Sequence, residues 1–179
     1  PEAGCGRADC ALGCDSDRYL EISNLVFMQF YRDETGAMTP LPKPSIDTGM
    51  GLERLTALLQ GQQSNYHSDL LMPLIRAGEK VTGVQYGAGT ETDFSLRVCA
   101  DHIRAIAFLL VDGVTFGNEG RNFVMRRLAR RALRHGKKLG CTEPFLHKLV
   151  PALVELMGGH YTELARKQDY IAQSILREE

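Results

Sequence analysis

Two apolar stretches near the start of the chain lack a helical period and predict strands. Residues 18–32 are rich in Ile, Val, Phe and Tyr, which favours a long buried strand. A turn at residues 33–36 and a proline-rich return leg then lead to Asp47. If the two strands pair antiparallel, Asn24 and Asp47 converge on one pocket, where an amide and an acid suit an α-ammonium group. Alternatively, the Asn24 amide satisfies buried backbone.

A glycine-punctuated crossing joins the second strand to a helix. Gly49 and Gly51 flank Met50, a spacing that lets backbone come within contact distance of a ligand. Leucines then recur at helical spacing as far as Gly61, which predicts a helix. Arg54 lies in its first turn, where the guanidinium can bind a phosphate through two hydrogen bonds. A Gly-rich turn beside a surface arginine would give the same local pattern.

The second half of the chain has helical periodicity throughout. Residues 83–92 are polar and rich in Gly and Thr, so we expect a linker there between domains at residues 1–90 and 91–179. The predicted fold is α+β, with two long antiparallel strands and a helix followed by an all-α domain.

Apolar stripes define the main helices of the second half. On the helix that starts near residue 95, the stripe consists of Leu96, Cys99, Ile103, Ile106, Ala107 and Leu110. On the helix at residues 122–138, the residues expected to face inward are Phe123, Met125, Leu128, Ala129, Ala132 and Leu133. A helix capped by Thr142 and kinked at Pro151 follows, and Thr162 is expected to cap a last helix.

Charge is distributed unevenly along the chain. Residues 121–138 hold eight Arg and Lys and no Asp or Glu, whereas the 179-residue chain has a formal net charge of −1. No acid lies four residues away to relieve repulsion between these arginines, so the segment suits a polyanion such as RNA unless neighbouring helices supply negative charge. A solvated helix face is the alternative.

Three of the five cysteines cluster near the start of the chain. Cys5, Cys10 and Cys14 have the spacing C-x4-C-x3-C in a loop that also contains Gly and Asp. Three thiolates with a fourth ligand from Asp15, Asp17 or a distant His would form a zinc site. The spacing matches no strong zinc-finger template, and solvated loop thiols are the alternative.

The remaining features concern cellular context. Cys99 and Cys141 fall near apolar helical segments, which predicts core thiols. We expect a cytoplasmic chain, in which the five cysteines are reduced thiols rather than a disulfide framework. No apolar run approaches the length of a membrane span. The first residues contain neither an initiator Met nor the basic segment of a signal peptide, so we expect an internal fragment.

Three strings resemble a known family. Residues 47–54, Asp-Thr-Gly-Met-Gly-Leu-Glu-Arg, resemble motif 3 of the class II aminoacyl-tRNA synthetases. The longer run at residues 41–54, together with Glu-Ile-Ser-Asn-Leu-Val-Phe-Met-Gln-Phe at residues 21–30, is similar to the alanyl-tRNA synthetase family. The resemblance implies that the strands belong to the C-terminal part of the class II antiparallel sheet. It also implies activation of alanine with ATP and Mg²⁺ and transfer to tRNA(Ala).

The resemblance assigns an alanine site to the two strands. In that family the residues matching Asn24 and Asp47 hold the ammonium group of alanine. Those matching Val26 and Gly49 border the pocket for its small side chain. This sequence departs from the family at Ser23, where a Trp is usual.

The resemblance also assigns ATP contacts. The arginine matching Arg54 contacts the γ-phosphate, which makes Arg54 the expected catalytic residue, and Gly51 is expected to lie against the nucleotide. Class II motifs 1 and 2 lie upstream in the family and are not recognisable in this sequence. We therefore expect this chain alone to be inactive.

Residues 97–104 and 118–135 resemble the tRNA-recognition region of the same family. There an Asn near the start of the basic helix recognises the G·U wobble pair of the acceptor stem, which makes Asn118 the candidate here. The arginines expected to bind tRNA are Arg121, Arg126, Arg127, Arg130 and Arg134. Two other functions fit the same chain: a stand-alone RNA-binding module without catalysis, and a helical protein–protein adaptor, which would leave the uncompensated arginines unexplained.

Overall fold

The structure, a computed structural model, describes residues 5–14 and 19–179. The chain has two compact units, Pro1–Gln63 and Ser64–Glu179. Among the described residues there is a two-stranded antiparallel sheet and there are seven α-helices, so the predicted α+β composition is confirmed. No described helix combines the length and the apolar character needed to cross a membrane.

The compact units divide between Gln63 and Ser64, rather than at the predicted position between residues 90 and 91. The difference arises because the helix Met72–Thr82 contributes Leu74 and Ile75 to the core of the second unit. The polar segment expected to link two domains is therefore a short connection within the second unit.

The first unit consists of strands β1 (Ser23–Arg32) and β2 (Met38–Met50) and helix α1 (Leu52–Leu59). The turn between the strands is fixed by Asp33, whose carboxylate accepts hydrogen bonds from the backbone N–H and the hydroxyl of Thr35. Gly51 alone separates β2 from α1, so residues at the end of the strand and the start of the helix lie close together.

The strand pair contains a bulge in which residues 41–44 of β2 stand opposite Gln29 alone. Pro42 and Pro44 lie in this bulge. Proline has no N–H to donate to a ladder, so the bulge takes up two residues that cannot pair fully. From the bulge to the end of β2 the register is regular, and this regular part contains the candidate site.

Every residue of β1 is exposed, so the prediction that this segment is a buried strand was wrong. In the described part of the first unit the sheet has only two strands and no covering layer. Pairing places Leu25, Phe27 and Ile46 on one face of the sheet and Asn24 and Asp47 on the other, where Val26 also lies.

The second unit is built around helix α3 (Thr90–Val111). The other helices are α2 (Met72–Thr82), α4 (Gly120–Lys138), α5 (Val150–Met157), α6 (Thr162–Arg166) and α7 (Gln168–Glu178). The stripe predicted for α3 is confirmed, because all six of its residues are buried in the core: Leu96, Cys99, Ile103, Ile106, Ala107 and Leu110.

Helix α4 packs on α3 largely as its sequence predicts. It buries Met125, Ala129 and Ala132, and Leu128 and Leu133 pack partly against the core. Phe123 was wrongly expected to face inward. It is 45% exposed and lies beneath the guanidinium of Arg127.

The end of the chain differs from the sequence prediction in two places. Pro151 lies in the first turn of α5, directly after a 3-10 helix at Leu146–Leu149, so the proline begins a helix and does not kink one. Thr142 is not the N-cap of either helix. The last predicted helix is in fact two helices, α6 and α7, which are separated at Lys167.

Candidate functional site

Four predicted ligand residues occupy one face of the strand pair. Asn24 pairs directly with Gly49, and Val26 pairs with Asp47. Directly opposed residues of an antiparallel pair point to the same face, as do alternate residues along each strand. The four residues therefore form two adjacent pairs on one exposed surface. Asn24 and Asp47 thus share one face, as expected from the sequence, and this face is an exposed surface rather than a pocket.

Gly49 leaves room for the Asn24 side chain because it has no β-carbon. A β-carbon built on Gly49 would stand 2.9 Å from Asn24 Oδ1, closer than real β-carbon contacts allow. The backbone of Gly49 does not have a positive φ, so space and not conformational freedom explains the glycine here. The amide of Asn24 thus lies over bare backbone.

Gly51 has a similar relation to Arg54. A β-carbon on Gly51 would lie 3.3 Å from both Cγ and Cδ of Arg54, which is a tight contact. The Arg54 guanidinium reaches back to the segment before β1 and donates a 2.6 Å hydrogen bond to the carbonyl of Glu21. The N–H of Gly51 also donates to that segment, at the carbonyl of Ile22. The start of α1 is therefore fixed to the residues that precede β1.

Glu21 is a member of this site that the sequence analysis missed. Its carbonyl accepts the hydrogen bond from Arg54, and its carboxylate lies 3.5 Å from the amide nitrogen of Asn24. It thus joins the predicted alanine-binding and ATP-binding residues. The available signal was an acid directly before an apolar strand, within a string already matched to the family.

The basic helix presents an open cationic face. Arg127, Arg130 and Arg134 recur at helical spacing and are exposed. In the part of the chain that the structure describes, none of the three forms an ion pair with a carboxylate. Arg130 and Arg134 also line, with Lys137, a cleft of about 480 Å³ whose lining includes the acids Glu143 and Glu179 as well. A row of unneutralised cations of this kind suits a phosphate backbone.

Arg126 is different from the other arginines of α4. Its Nε donates a 2.6 Å hydrogen bond to Glu178 of α7, and its guanidinium also donates a 2.6 Å hydrogen bond to Asn118 Oδ1. Asn118 lies in the loop before α4, and Arg121 is exposed in the first turn of that helix. The predicted tRNA-binding residues are thus all on or beside α4, but Arg126 contacts protein.

A family model for class II (A) tRNA synthetases matches residues 2–179. The chain belongs to this synthetase family. It is 58% identical over 165 residues to the alanine–tRNA ligase of Acidithiobacillus ferridurans and 60% identical over 165 residues to that of Bordetella petrii, with 92% of the chain covered in each case. It is 49% identical over 176 residues, or 98% of the chain, to the alanine–tRNA ligase of Desulfosudis oleivorans.

The synthetase chain spans about a fifth of the length of these relatives: the matched segments make up 19%, 18% and 20% of the three ligases. The matches extend over nearly all of the chain, and so they include both the strand site and the basic helix.

The cysteine cluster of the synthetase chain has a geometry that fits a metal. The Sγ atoms of Cys5, Cys10 and Cys14 all lie within 4.8 Å of one another. Two turns bring them together, because Cys10 and Cys14 each donate a backbone N–H to the carbonyl three residues earlier. In a tetrahedral zinc–thiolate site the sulfur atoms are about 3.8 Å apart, so only a small contraction is needed. The predicted fourth ligands, Asp15 and Asp17, lie outside the described residues.

Two histidines lie at the interface of α3 and α4. His102 Nδ1 lies 2.9 Å from the carboxylate of Asp101. This hydrogen bond is the main reason that the pKa of Asp101 is lowered. His135 Nδ1 lies 3.0 Å from the hydroxyl of Ser95. Burial, followed by the charge of Lys138, lowers the pKa of His135 below its ordinary value.

Proposed function

We propose that this chain contributes the alanine-binding strands, the motif 3 arginine and the acceptor-stem helices of an alanine–tRNA ligase. The observation that carries the proposal is the pairing of Asn24 with Gly49 and of Val26 with Asp47, on a face that Glu21 connects to Arg54. Identity of 49–60% to three alanine–tRNA ligases over nearly the whole chain favours this function over a stand-alone RNA-binding module.

The strand face suits the amino group of alanine. Asn24 Oδ1 and the Asp47 carboxylate are both hydrogen-bond acceptors, and an ammonium group has only donors. The charge of Asp47 neutralises that of the ammonium group. Val26 and the bare backbone of Gly49 border a space that favours a methyl side chain over larger ones. Size and charge would thus be selected by different residues on one face.

Arg54 suits the triphosphate of ATP. One of its terminal nitrogens is held by the Glu21 carbonyl, which fixes the guanidinium while its other N–H groups stay available for the γ-phosphate. In the proposed reaction the alanine carboxylate attacks the α-phosphate and pyrophosphate leaves. Arg54 stabilises negative charge on the leaving group, and Mg²⁺ arriving with ATP supplies further neutralisation.

The basic helix suits the acceptor stem of tRNA(Ala). A-form RNA exposes base edges in a wide, shallow minor groove, which an asparagine side chain can reach. Asn118 would recognise the wobble pair there, while Arg121, Arg127, Arg130 and Arg134 bind phosphates on either side. Position along the stem and identity of the base pair would then depend on separate groups.

We also propose that Cys5, Cys10 and Cys14 bind structural zinc. Thiolate is the preferred ligand type for this ion, and the three sulfur atoms are already close together. Zinc would tie together a short loop that contains two left-handed glycines, Gly6 and Gly13. Both the ligase reaction and the reduced thiols point to the cytoplasm as the place of action.

The strand site can be tested in a chimera. Residues 19–179 would replace the matching segment of the Bordetella petrii relative, and alanine-dependent ATP–pyrophosphate exchange would be measured. We expect an active chimera in which Asn24→Ala and Asp47→Ala each raise the KM for alanine at least tenfold with little change in the KM for ATP. Thr48→Ala is the matched control because Thr48 lies on the opposite face of the sheet. Equal effects of all three substitutions would contradict the proposed site.

A further inference from the structure

Arg126 connects the loop before α4 to the last helix of the chain. Its guanidinium donates to Asn118 Oδ1 and to Glu178 Oε1, each at 2.6 Å. The Arg126 side chain is 34% exposed and that of Glu178 is 14% exposed. Two of the five N–H donors of Arg126 are therefore committed within the protein, one in a partly buried ion pair with Glu178 and one to the neutral amide of Asn118. Together they orient the guanidinium plane.

This contact determines which end of the Asn118 amide faces outward. An arginine offers only donors, so the oxygen of the amide and not its nitrogen must face Arg126. Asn118 is an exposed residue, so the end of its amide that remains for a ligand is the nitrogen with its two N–H groups. Without Arg126 the amide could rotate, and either a donor or an acceptor could be presented to a ligand.

The end of α7, which contains Glu178, is itself held in place by hydrogen bonds. Glu179, next to Glu178, accepts backbone hydrogen bonds from Phe145 and Leu146 at 2.9 and 2.8 Å. It also accepts a 2.6 Å hydrogen bond from His147 Nδ1, and its side chain is 2% exposed. The end of α7 is thereby fixed to the 3-10 helix that precedes α5. Glu178 thus holds Arg126 from an immobilised helix end.

We propose that Arg126 is a positioning residue for base-pair recognition and not a phosphate contact. It holds the Asn118 amide in one orientation toward the minor-groove edge of the acceptor stem, where a wobble pair and a G–C pair present their hydrogen-bonding groups at different positions. Glu178 is the support for Arg126. This inference rests on the proposed function, in which Asn118 faces the acceptor stem.

The two roles that an arginine can have here differ in what they change. A phosphate contact contributes equally to all RNA sequences, and its loss lowers the slope of log affinity against log salt by roughly 0.7–0.9. A positioning residue that contacts no phosphate leaves that slope unchanged. Its loss lowers the preference for one base pair over another, since the recognising side chain is no longer oriented.

The experiment measures binding of the 179-residue chain to an acceptor-stem minihelix by fluorescence anisotropy over a salt series. Two RNAs are compared, one with the G·U wobble pair and one with a G–C pair at the same place. The two variants are Arg126→Gln and, as its matched control, Arg127→Gln. The two arginines are adjacent in sequence, but only Arg126 contacts Asn118 and Glu178. Circular dichroism melting of each variant reports whether it is folded.

We expect wild type to prefer the wobble RNA by about tenfold. Arg126→Gln should reduce this preference at least fivefold with an unchanged salt slope. Arg127→Gln should weaken binding to both RNAs equally and lower the salt slope. Arg126→Gln that behaves like Arg127→Gln would overturn the inference while leaving the proposed function intact. Equal affinity of wild type for both RNAs would overturn the proposed recognition, and the positioning role with it.

Glu178 supplies a second and independent test. Removing an acid near a polyanion ordinarily strengthens binding, because a repulsion is lost. We nevertheless expect Glu178→Ala to lower the preference for the wobble RNA, since Arg126 loses its support. Glu178→Gln keeps an oxygen that can accept from Arg126 Nε and should retain most of the preference. Glu178→Ala with the full wild-type preference would contradict the inference.

Discussion

Gly49 lies directly across the strand pair from Asn24, so close that a β-carbon at position 49 would stand 2.9 Å from Asn24 Oδ1. We predict that Gly49→Ala displaces the Asn24 amide. In the chimera described above, the KM for alanine should rise about tenfold, which corresponds to roughly 1.4 kcal/mol and is typical of one lost hydrogen bond to a charged group. The KM for ATP should change little. An unchanged KM for alanine would mean that the amide is not needed where the structure has it.

The cysteine cluster predicts one zinc ion per chain. Zinc content after purification without chelators can be measured by mass spectrometry, and cobalt substitution should give a thiolate charge-transfer band. Cys10→Ser should abolish both signals because it removes one of three converging sulfur ligands. Cys141→Ser, which changes a thiol outside the cluster, is the matched control. If both variants retain the same zinc content as wild type, the metal is elsewhere.

His135 predicts a loss of stability below neutral pH. Burial and the charges of Lys138, His102, Arg131 and Arg134 lower the pKa of His135 in the folded chain. The unfolded chain then binds a proton more readily than the folded chain below about pH 6.5, so the free energy of unfolding falls with pH by at most about 1.4 kcal/mol per unit. The full stabilisation is present above that pH.

Denaturant unfolding between pH 7 and pH 5 measures this effect. His135→Gln removes the titrating group but keeps a polar partner for Ser95, so its stability should depend less on pH than that of wild type. His160→Gln, at an exposed histidine, should keep the wild-type dependence. The same pH dependence in all three proteins would show that other groups are responsible.

The exposed face of α4 predicts salt-dependent binding of RNA. The double substitution Arg130→Gln and Arg134→Gln removes two cations that form no ion pair with a described carboxylate. The slope of log affinity against log salt should fall by about 1.4–1.8, whichever base pair the minihelix carries. Arg166→Gln removes an exposed cation from α6 and serves as the control. A slope that falls equally in the control would indicate a diffuse effect of net charge.

Short-range patterns in the sequence identified much of the strand site. The alternation along β1 and β2 places Asn24 and Asp47 on one face once the strands pair, and the two glycines mark where side chains lie over bare backbone. The apolar stripe of α3 was equally accessible, since helical spacing fixes which residues share a face. These features depend on residues that are near neighbours along the chain or are joined by one tight turn.

Other features were outside the reach of such patterns. The exposure of β1 was missed because burial depends on whether another layer covers the sheet, which composition does not state. The packing of α2 with the second unit was missed for a related reason. Its apolar face fits either unit by sequence, and only the docking of Leu74 and Ile75 beside α3 decides between them.

The arginines of α4 show which properties depend on the sequence alone and which depend on the tertiary structure. The sequence by itself determined that the segment is a basic helix preceded by an asparagine, because charge and helical period are properties of consecutive residues. Only the tertiary structure decided that Arg126 differs from Arg127. Its partner Glu178 lies 52 residues away along the chain, and the two meet only because α7 packs against α3, α5 and the 3-10 helix at Leu146–Leu149. Hydrogen bonding acts at contact distance, so the role of a charged side chain follows from what the folded chain brings next to it.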